Sequence, residues 1–350
     1  MAGLRLALLK TSLQMFSSSR ILALPFLILL CPIAHVAQTP QTQLPTPAIR
    51  VQVDQVNVGV IVTDVRGNFV ENLGRENFRV FDNGVEQPIA GFSSIDGPAQ
   101  VLLLVESGPA VYLLESSHVA AVSTLLNGLS VDDRVAMAAY ADTPQPVFDF
   151  TADKRSAIAN LAQLHFNLGF SRLNLSSSLA AILDWLAPLQ GKKTIVLLST
   201  GVDTSAPEVI TAFFARLKIA DVRIFSLSLS GSLRAAPAHA KRKAKNPVTA
   251  PPDPMFAEAD QELRALAEST GGRAYFPLTS AEFKNACAEI AQLVRHEYSL
   301  SFVPPTHDAA IHSIDVRVIT TPPNPSAPPS SNAVPPAYRV DHRPAYLAPE

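Results

Sequence analysis

From Gln100 onward, short apolar runs alternate with longer stretches whose apolar residues recur at helical spacing, and few folds accept that pattern. The runs are Val101–Val105, Val135–Ala141, Thr194–Ser199 and Val222–Ser228. Between them, Ile210, Phe213, Phe214 and Leu217 fall at i, i+3, i+4 and i+7, and Leu175, Leu179, Ile182, Leu183 and Leu186 make a similar stripe. Near-continuous apolar strands need cover on both faces, which parallel strands joined by helices provide. With right-handed crossovers the expectation is an α/β fold, a doubly wound and mostly parallel sheet with helices on both faces. Two more helices complete it. One runs from Leu263 and is closed by Gly271 and Gly272, with a strand following at once. The other covers Ala281–His296, with Phe283, Cys287, Ile290 and Val294 on one stripe.

On either side of this region the period is two. Valines alternate through Val51–Val62, and Asp64–Asn68 supplies a turn, so a strand is expected to lead into a hairpin. Phe78–Phe81 followed by Asp82-Asn83-Gly84 repeats the device. Residues 48–97 therefore read as a small β module and 98–296 as the α/β domain. Residues 297–350 read as a C-terminal β extension, in which Glu297–Phe302, Ile311–Thr320 and Tyr338–Val340 alternate around a Pro-rich loop, Pro322–Pro336. Composition suggests that this extension returns to the first β module.

Residues 1–37 hold Arg5, Lys10 and Arg20 with no acidic residue, then the 13-residue apolar run Ile21–Ile33, then Ala34–Ala37. A charged start, a short apolar stretch and a small-residue exit describe a signal peptide. The run is shorter than the roughly 20 residues of a spanning helix, and Pro25 and Pro32 interrupt it. Cleavage near Ala37 is the expectation. A retained anchor stays open, because His35 stands where a small residue is preferred, while Leu30 before Cys31 argues against lipidation there. A Gln/Thr/Pro-rich linker, 38–47, follows. The protein is thus expected to be exported, periplasmic or secreted, with no stable membrane span after cleavage. Losing the leader takes the net charge from −2 to −5 and leaves Cys287, in an apolar stripe, as the sole thiol.

With 47% hydrophobic and 17% charged residues the chain is neither a disordered acidic polymer nor a basic nucleic-acid binder. Lys241–Lys245 is a short basic cluster in a Pro/Ala-rich stretch (Ala235–Pro254) without aromatics, and reads as a solvated loop. There is no C-x-x-C or H-E-x-x-H pattern. Ser269-Thr-Gly-Gly lies at a helix end, where the dipole repels phosphate. No organic cofactor is implied.

The landmarks "VNVGVIVTDVRGNFVENLGRENFRVFDNGVEQPIAGFSS", "VLLLVESGPA", "LSVDDRVAMAAYADTPQPVFDFTADKRSAI", "KKTIVLLSTGVDTS", "LRALAESTGGRAYF" and "EYSLSFVP … AYRVDHRPAYLAP" occur in order over about 51–347. In this order they resemble a von Willebrand factor A-like domain, and within that class the secreted acidobacterial A-domain-related proteins. The resemblance implies an extracytoplasmic interaction domain. It also implies a Mg²⁺ site at the carboxyl ends of the strands, held by D-x-S-x-S, a Thr on a middle loop and an Asp after the fourth strand. Here Val105 replaces the first Asp, Ser107 remains, and Pro109 replaces the second Ser. Ser171 stands for the Thr, and Thr200 for the second Asp. Hydroxyls alone hold Mg²⁺ poorly, so a degenerate, metal-free site is expected.

Three carboxylates lie near those positions. Glu106 is one residue off and is expected on the opposite side of the strand end, Asp142 ends the second run on the same rim, and Asp203 lies three residues past the expected Asp. Asp203 with Thr204 and Ser205 reads as a cap cluster leading the helix at Pro207, with a ligand role as its alternative. The expected function is a non-enzymatic protein–protein interaction module of adhesion or scaffold type. Its contact surface would be a rim of Glu106, Ser107, Asp142, Ser171, Thr200 and Asp203, or the β extension, meeting a protein of the cell envelope or outside the cell. Two alternatives accompany it. One is a metal-dependent adhesin using Asp203. The other is a serine hydrolase with Ser107, although Val105 and Pro109 break the G-x-S-x-G elbow and the histidines are scattered without a matching acid motif.

Overall fold

The chain begins and ends in β structure and carries an α/β body between. In chain order come β1 (Val56–Thr63), β2 (Phe78–Asp82), β3 (Val85–Gln87), β4 (Gly91–Ile95), β5 (Ala99–Glu106), α1 (Ser116–Gly128), β6 (Arg134–Tyr140), β7 (Pro144–Thr151), α2 (Lys154–Leu161) and α3 (Leu175–Leu186). Then follow β8 (Lys192–Ser199), α4 (Pro207–Leu217), β9 (Arg223–Ser228), α5 (Pro254–Glu268), β10 (Ala274–Tyr275), α6 (Ser280–Arg295), β11 (Glu297–Phe302), β12 (Ile311–Val318), β13 (Arg339–His342) and β14 (Ala345–Leu347). This computed structural model describes residues 55–95, 97–108, 116–161, 172–231, 254–319 and 338–350. The leader, the 38–47 linker, Lys241–Lys245 and the Pro322–Pro336 loop lie outside the described residues, as do Pro109 and Ser171.

The central sheet has six strands in the order β10-β9-β8-β5-β6-β7, all parallel except β7, which runs antiparallel to β6. Counted from β5 as the first strand, and read from the β7 edge, this is the order 3-2-1-4-5-6 of a doubly wound sheet. The apolar run of β5 serves both faces by alternation. Val101, Leu103 and Val105 pack with α1, α2 and α6 on one side, while Leu102 and Leu104 pack with α3, α4 and α5 on the other. The α/β fold is thus the one expected from the apolar periodicity.

Strand β7 was not expected. Its sequence, PQPVFDFT, carries two prolines and is mostly exposed or half-buried. Proline is tolerated there because β7 is an edge strand, and its pairing with β6 is broken by register shifts between Val135 and Ala138.

The strands outside this body form two antiparallel sheets, β13-β1-β11-β4 and β14-β12-β2-β3. They share one core, in which Val58, Val60, Phe78, Val80, Leu300, Phe302 and Val316 are all buried. Ring contacts join the sheets face to face, Phe78 to Tyr298 at 5.1 Å and Phe302 to Tyr346 at 5.6 Å between centroids. Each sheet mixes strands from both ends of the chain: β1 pairs with β11 and β13, and β12 pairs with β2. The α/β body is therefore inserted between β4 and β11 of a β-sandwich.

The hairpin expected after β1 forms as a short antiparallel return, without a second full strand. Asp64 closes the turn by accepting from the amides of Arg66 (2.8 Å) and Asn68 (2.9 Å), and the bridge Thr63–Phe69 follows, with the Asp64 amide donating to the Asn68 carbonyl (2.9 Å) and the Val70 amide to the Val62 carbonyl (2.8 Å). The expected turn at Asn83-Gly84 is present, with positive φ at both residues (47° and 82°), as a two-residue hairpin loop requires. Among the described residues no helix is long and apolar enough to cross a membrane.

Two buried arginines fasten the body to the sandwich. Arg273, just before β10, reaches Thr63 of β1, Glu289 of α6 and Asp341 of β13. Arg223, at the start of β9, donates to the carbonyls of Gly271 and Gly59 and lies 3.5 Å from Glu297 of β11.

Candidate functional site

In an open α/β sheet, ligands bind outside the carboxyl ends of the strands where the strand order reverses. Here that point lies between β5 and β8, which run side by side in the register Val105–Leu198. Val105 is 2% exposed and belongs to the core under α1 and α6, so the position of the first expected carboxylate contributes only packing.

The next residue fills the crevice. Glu106 is fully buried, and its Oε2 accepts from the Thr200 amide (2.7 Å), the Thr200 hydroxyl (2.8 Å) and the Ser199 hydroxyl (3.0 Å), with the Tyr140 hydroxyl 3.4 Å away. Tyr140 and Ser199 are also joined at 2.7 Å. The ends of β5, β6 and β8 are thereby tied through one oxygen. Burial pushes the Glu106 carboxyl above the usual carboxylate range, against the hydrogen bonds from Thr200, Ser199 and Tyr140. Its other oxygen, Oε1, is buried without a partner.

This corrects the expected rim at two positions. Glu106 and Thr200, 0% and 2% exposed, are internal and do not present a contact surface. The reason is that a carboxylate on an apolar strand end must find donors, and the last residue of β8 with the one after it supplies three of them. Tyr140 and Ser199 were not singled out from the sequence. Glu106 itself was the available signal, because a charge closing a buried run needs partners from the neighbouring strand ends.

What remains at the surface is stitched together. Asp142 is exposed and accepts from the Asn174 side chain at 2.6 Å. Thr204 donates to Asn174 at 3.1 Å and accepts from the Leu173 amide at 2.9 Å, while its own amide reaches the Leu173 carbonyl at 2.8 Å. Half-buried Asp203 caps a helix, but not the one it precedes in sequence. Its carboxylate accepts from the amides of Leu175 (3.1 Å) and Ser176 (2.8 Å) at the start of α3, and from Ser205 (2.8 Å) in its own loop. Three loops are thus held in one arrangement.

Val105 and Thr200, an apolar and a hydroxyl side chain, stand at the two expected carboxylate positions, Oε2 of Glu106 is surrounded by donors, and Asp203 accepts from three amides. Among the described residues no group of three or more His, Cys, Asp or Glu could hold a metal ion. Ser107 is half-buried and donates its hydroxyl to the Tyr140 carbonyl at 3.0 Å, an arrangement that does not activate it as a nucleophile. His312 and His342 lie in the sandwich, bonded to Asp82 and Asp308 and to the Arg343 carbonyl respectively. Cys287 is buried in α6, and burial pushes its thiol up to about 12, as befits a packing residue.

No protein-family model matches the chain, and no curated protein matches it. Among solved structures it is similar to a von Willebrand factor type A protein from Catenulispora acidiphila, with 11% identity over 78% of this chain and 74% of that one and a TM-score of 0.44. It is similar also to an aerotolerance-related membrane protein from Bacteroides fragilis, with 12% identity over 56% of this chain and 98% of that one and a TM-score of 0.40. The PilB minor pilin from Streptococcus sanguinis matches with 12% identity over 59% of this chain and 63% of that one, at a TM-score of 0.41.

Proposed function

We propose that this chain, a von Willebrand A-like α/β protein by the order of its central sheet, is an exported, non-enzymatic protein–protein interaction module whose contacts need no metal ion. The observation that carries this is the closure of the switch-point crevice by Glu106, Ser199, Thr200 and Tyr140. Side chains that fill the crevice between β5 and β8 leave little room there for a substrate or a bridging cation, which supports this reading. The rim above it, with Ser107, Asp142, Asn174, Asp203 and Thr204, is polar and pre-arranged, so little ordering entropy is lost when a partner docks on it. The leader and the proline-rich linker at 38–47 support delivery of this module outside the cytoplasm, on a tether.

A photo-crosslinking amino acid placed at Ser107, Asp142 or Thr204, in cells of the source organism, tests the reading. Lys218, exposed just past the end of α4, is the control position. A discrete protein adduct from the rim positions, absent from Lys218 and unchanged by a chelator, is expected. Adducts equal at Lys218 and the rim, or lost on chelation, refute the rim or its metal independence respectively.

A further inference from the structure

We propose that His312 is a proton-operated latch: its charged ring ties the loop of residues 303–310, between β11 and β12, to the β-sandwich, and lets the loop go when the proton leaves. Both ring nitrogens face carboxylates. Nδ1 lies 2.9 and 3.2 Å from the two oxygens of Asp82 in β2, and Nε2 lies 3.2 Å from each oxygen of Asp308 in the loop. Only an imidazolium can donate to both, because a neutral ring carries a single N–H. The third titratable group facing the ring is Tyr346 of β14, which donates to Asp82 at 3.2 Å and meets the imidazole edge to face at 5.4 Å between centroids. Burial and the charge of Asp82 hold this hydroxyl above the usual tyrosine range, so it stays a donor while the histidine titrates.

The two carboxylates are not equivalent, and the difference decides which of them lets go. Asp82 is 2% exposed, and a buried carboxylate stripped of donors is costly, so the one remaining N–H stays on Nδ1. The Asp308 side chain is 46% exposed and can exchange the ring for water. It also accepts from the Ala310 amide at 3.0 Å and the Thr306 hydroxyl at 3.2 Å, bonds within the loop that survive release. The Ala310 amide and the ring hold Asp308 below the usual carboxylate range, so it is charged throughout the interval in which the ring titrates. Loss of the Nε2 proton therefore replaces a charge-assisted hydrogen bond with a lone pair facing an anion.

The loop is built to respond. Residues 305–310 are exposed, and Ala309 sits at a φ of 53°, in the left-handed region that a side chain disfavours. Two backbone bonds join the loop to the end of the chain, from the Ala309 amide to the Pro349 carbonyl (3.2 Å) and from the Ala348 amide to the Ala310 carbonyl (2.9 Å). Release of Asp308 lets Ala309 relax and loosens β14 with it. Strands β11 and β2 keep their ladders to β1 and β12.

Hydrogen–deuterium exchange of the purified protein from about pH 5 to about pH 8, read by mass spectrometry and corrected for the intrinsic pH dependence of exchange, tests the latch. Protection of residues 303–311 and 345–350 should fall with rising pH, by about tenfold for each unit by which closure raises the pKa of the ring. His312→Gln, which cannot ionise, should remove this dependence. So should Asp308→Asn, a change on an exposed loop, since an amide can either accept from the ring or donate to it. His307→Gln, the neighbouring residue of the same loop, should retain it. Protection that does not change with pH in the wild type overturns the proposal. So does a dependence that His312→Gln or Asp308→Asn leaves in place, or one that His307→Gln abolishes.

Discussion

Arg273 and Asp341 meet through two hydrogen bonds to one oxygen, from Nε at 2.8 Å and from Nη2 at 2.5 Å, across the junction of the α/β body and the β-sandwich. The arginine is 5% exposed and also holds Thr63 at 2.7 Å and Glu289 at 3.0 Å. Burial works against the guanidinium charge, but Asp341 and Glu289 outweigh it and raise the pKa. One side chain thus ties β1, α6 and β13, elements far apart in sequence.

Removing it should be costly. Arg273→Ala leaves the Asp341 carboxylate, 9% exposed, with Arg339 as its remaining counter-charge and takes a charged donor from Thr63 and Glu289, and should destabilise the protein by about 2–3 kcal/mol. Arg273→Lys should recover only part, since an ammonium cannot reach three acceptors with the fixed fork of a guanidinium. Urea denaturation of the two variants checks both, and equal stabilities for Lys and Arg would refute the fork.

The parts legible in the sequence are those whose cause is local. Buried parallel strands write themselves as apolar runs, so β5, β6, β8 and β9 lie within a residue or two of expectation at most ends. Strand β7 escapes because its prolines and exposed side chains resemble a loop. In the sandwich, alternation marks β1 and β11 as strands without saying that Val58 pairs with Leu300. The same limit governs the site. Val105 and Thr200 show by identity that the expected carboxylates are gone, but nothing local says that Glu106 turns inward to Thr200 or that Asp203 caps α3. Those depend on which strand ends and loops the topology brings together.

Asp203 offers a test of that cap. Its carboxylate satisfies two of the orphan amides at the start of α3, so Asp203→Ala should cost about 1–2 kcal/mol. The loss should be the same with and without Mg²⁺, measured by thermal denaturation. A loss seen only with Mg²⁺ present would mean that Asp203 is a metal ligand after all.

Two histidines of the sandwich should respond to pH in opposite directions. Burial pulls His312 down, but its hydrogen bonds to Asp308 (3.2 Å) and Asp82 (2.9 Å) and their charge outweigh this, and its pKa is raised above 6.5. Its contribution is fully present below about 6.5 and lost as the pH rises through the folded-state value. Burial lowers His342 below 6.5, against the hydrogen bond that its Nδ1 donates to the Arg343 carbonyl (2.9 Å), and its Nε2 accepts from the Val316 amide (3.2 Å), which only the neutral ring can do. Its contribution is present above about 6.5 and lost as the pH falls toward the folded-state value. Denaturation curves between pH 5 and 8 should show His312→Gln costing most at the acid end and His342→Gln costing most at the basic end. The same pH trend in both variants would contradict the assigned protonation states.

Glu106 supplies the sharpest test of the closed crevice. Its folded-state pKa is raised above the ordinary 4.5, so the native state binds more protons than the unfolded chain over the interval between the two values. Stability must then fall as the pH rises through that interval, by about 1.4 kcal/mol for each unit separating them. Glu106→Gln keeps an oxygen for the Thr200 amide and the three hydroxyls but carries no charge to desolvate. The variant should therefore lose this slope, and should gain on the wild type as the pH is raised from 4.5 to 8 in urea denaturation. Glu106→Ala removes the acceptor as well, strands the Thr200 amide and leaves a void between β5 and β8, so it should be less stable than Glu106→Gln at every pH. An unchanged slope in Glu106→Gln would mean that the carboxylate is solvated and the crevice open, and the interaction reading would lose its main support.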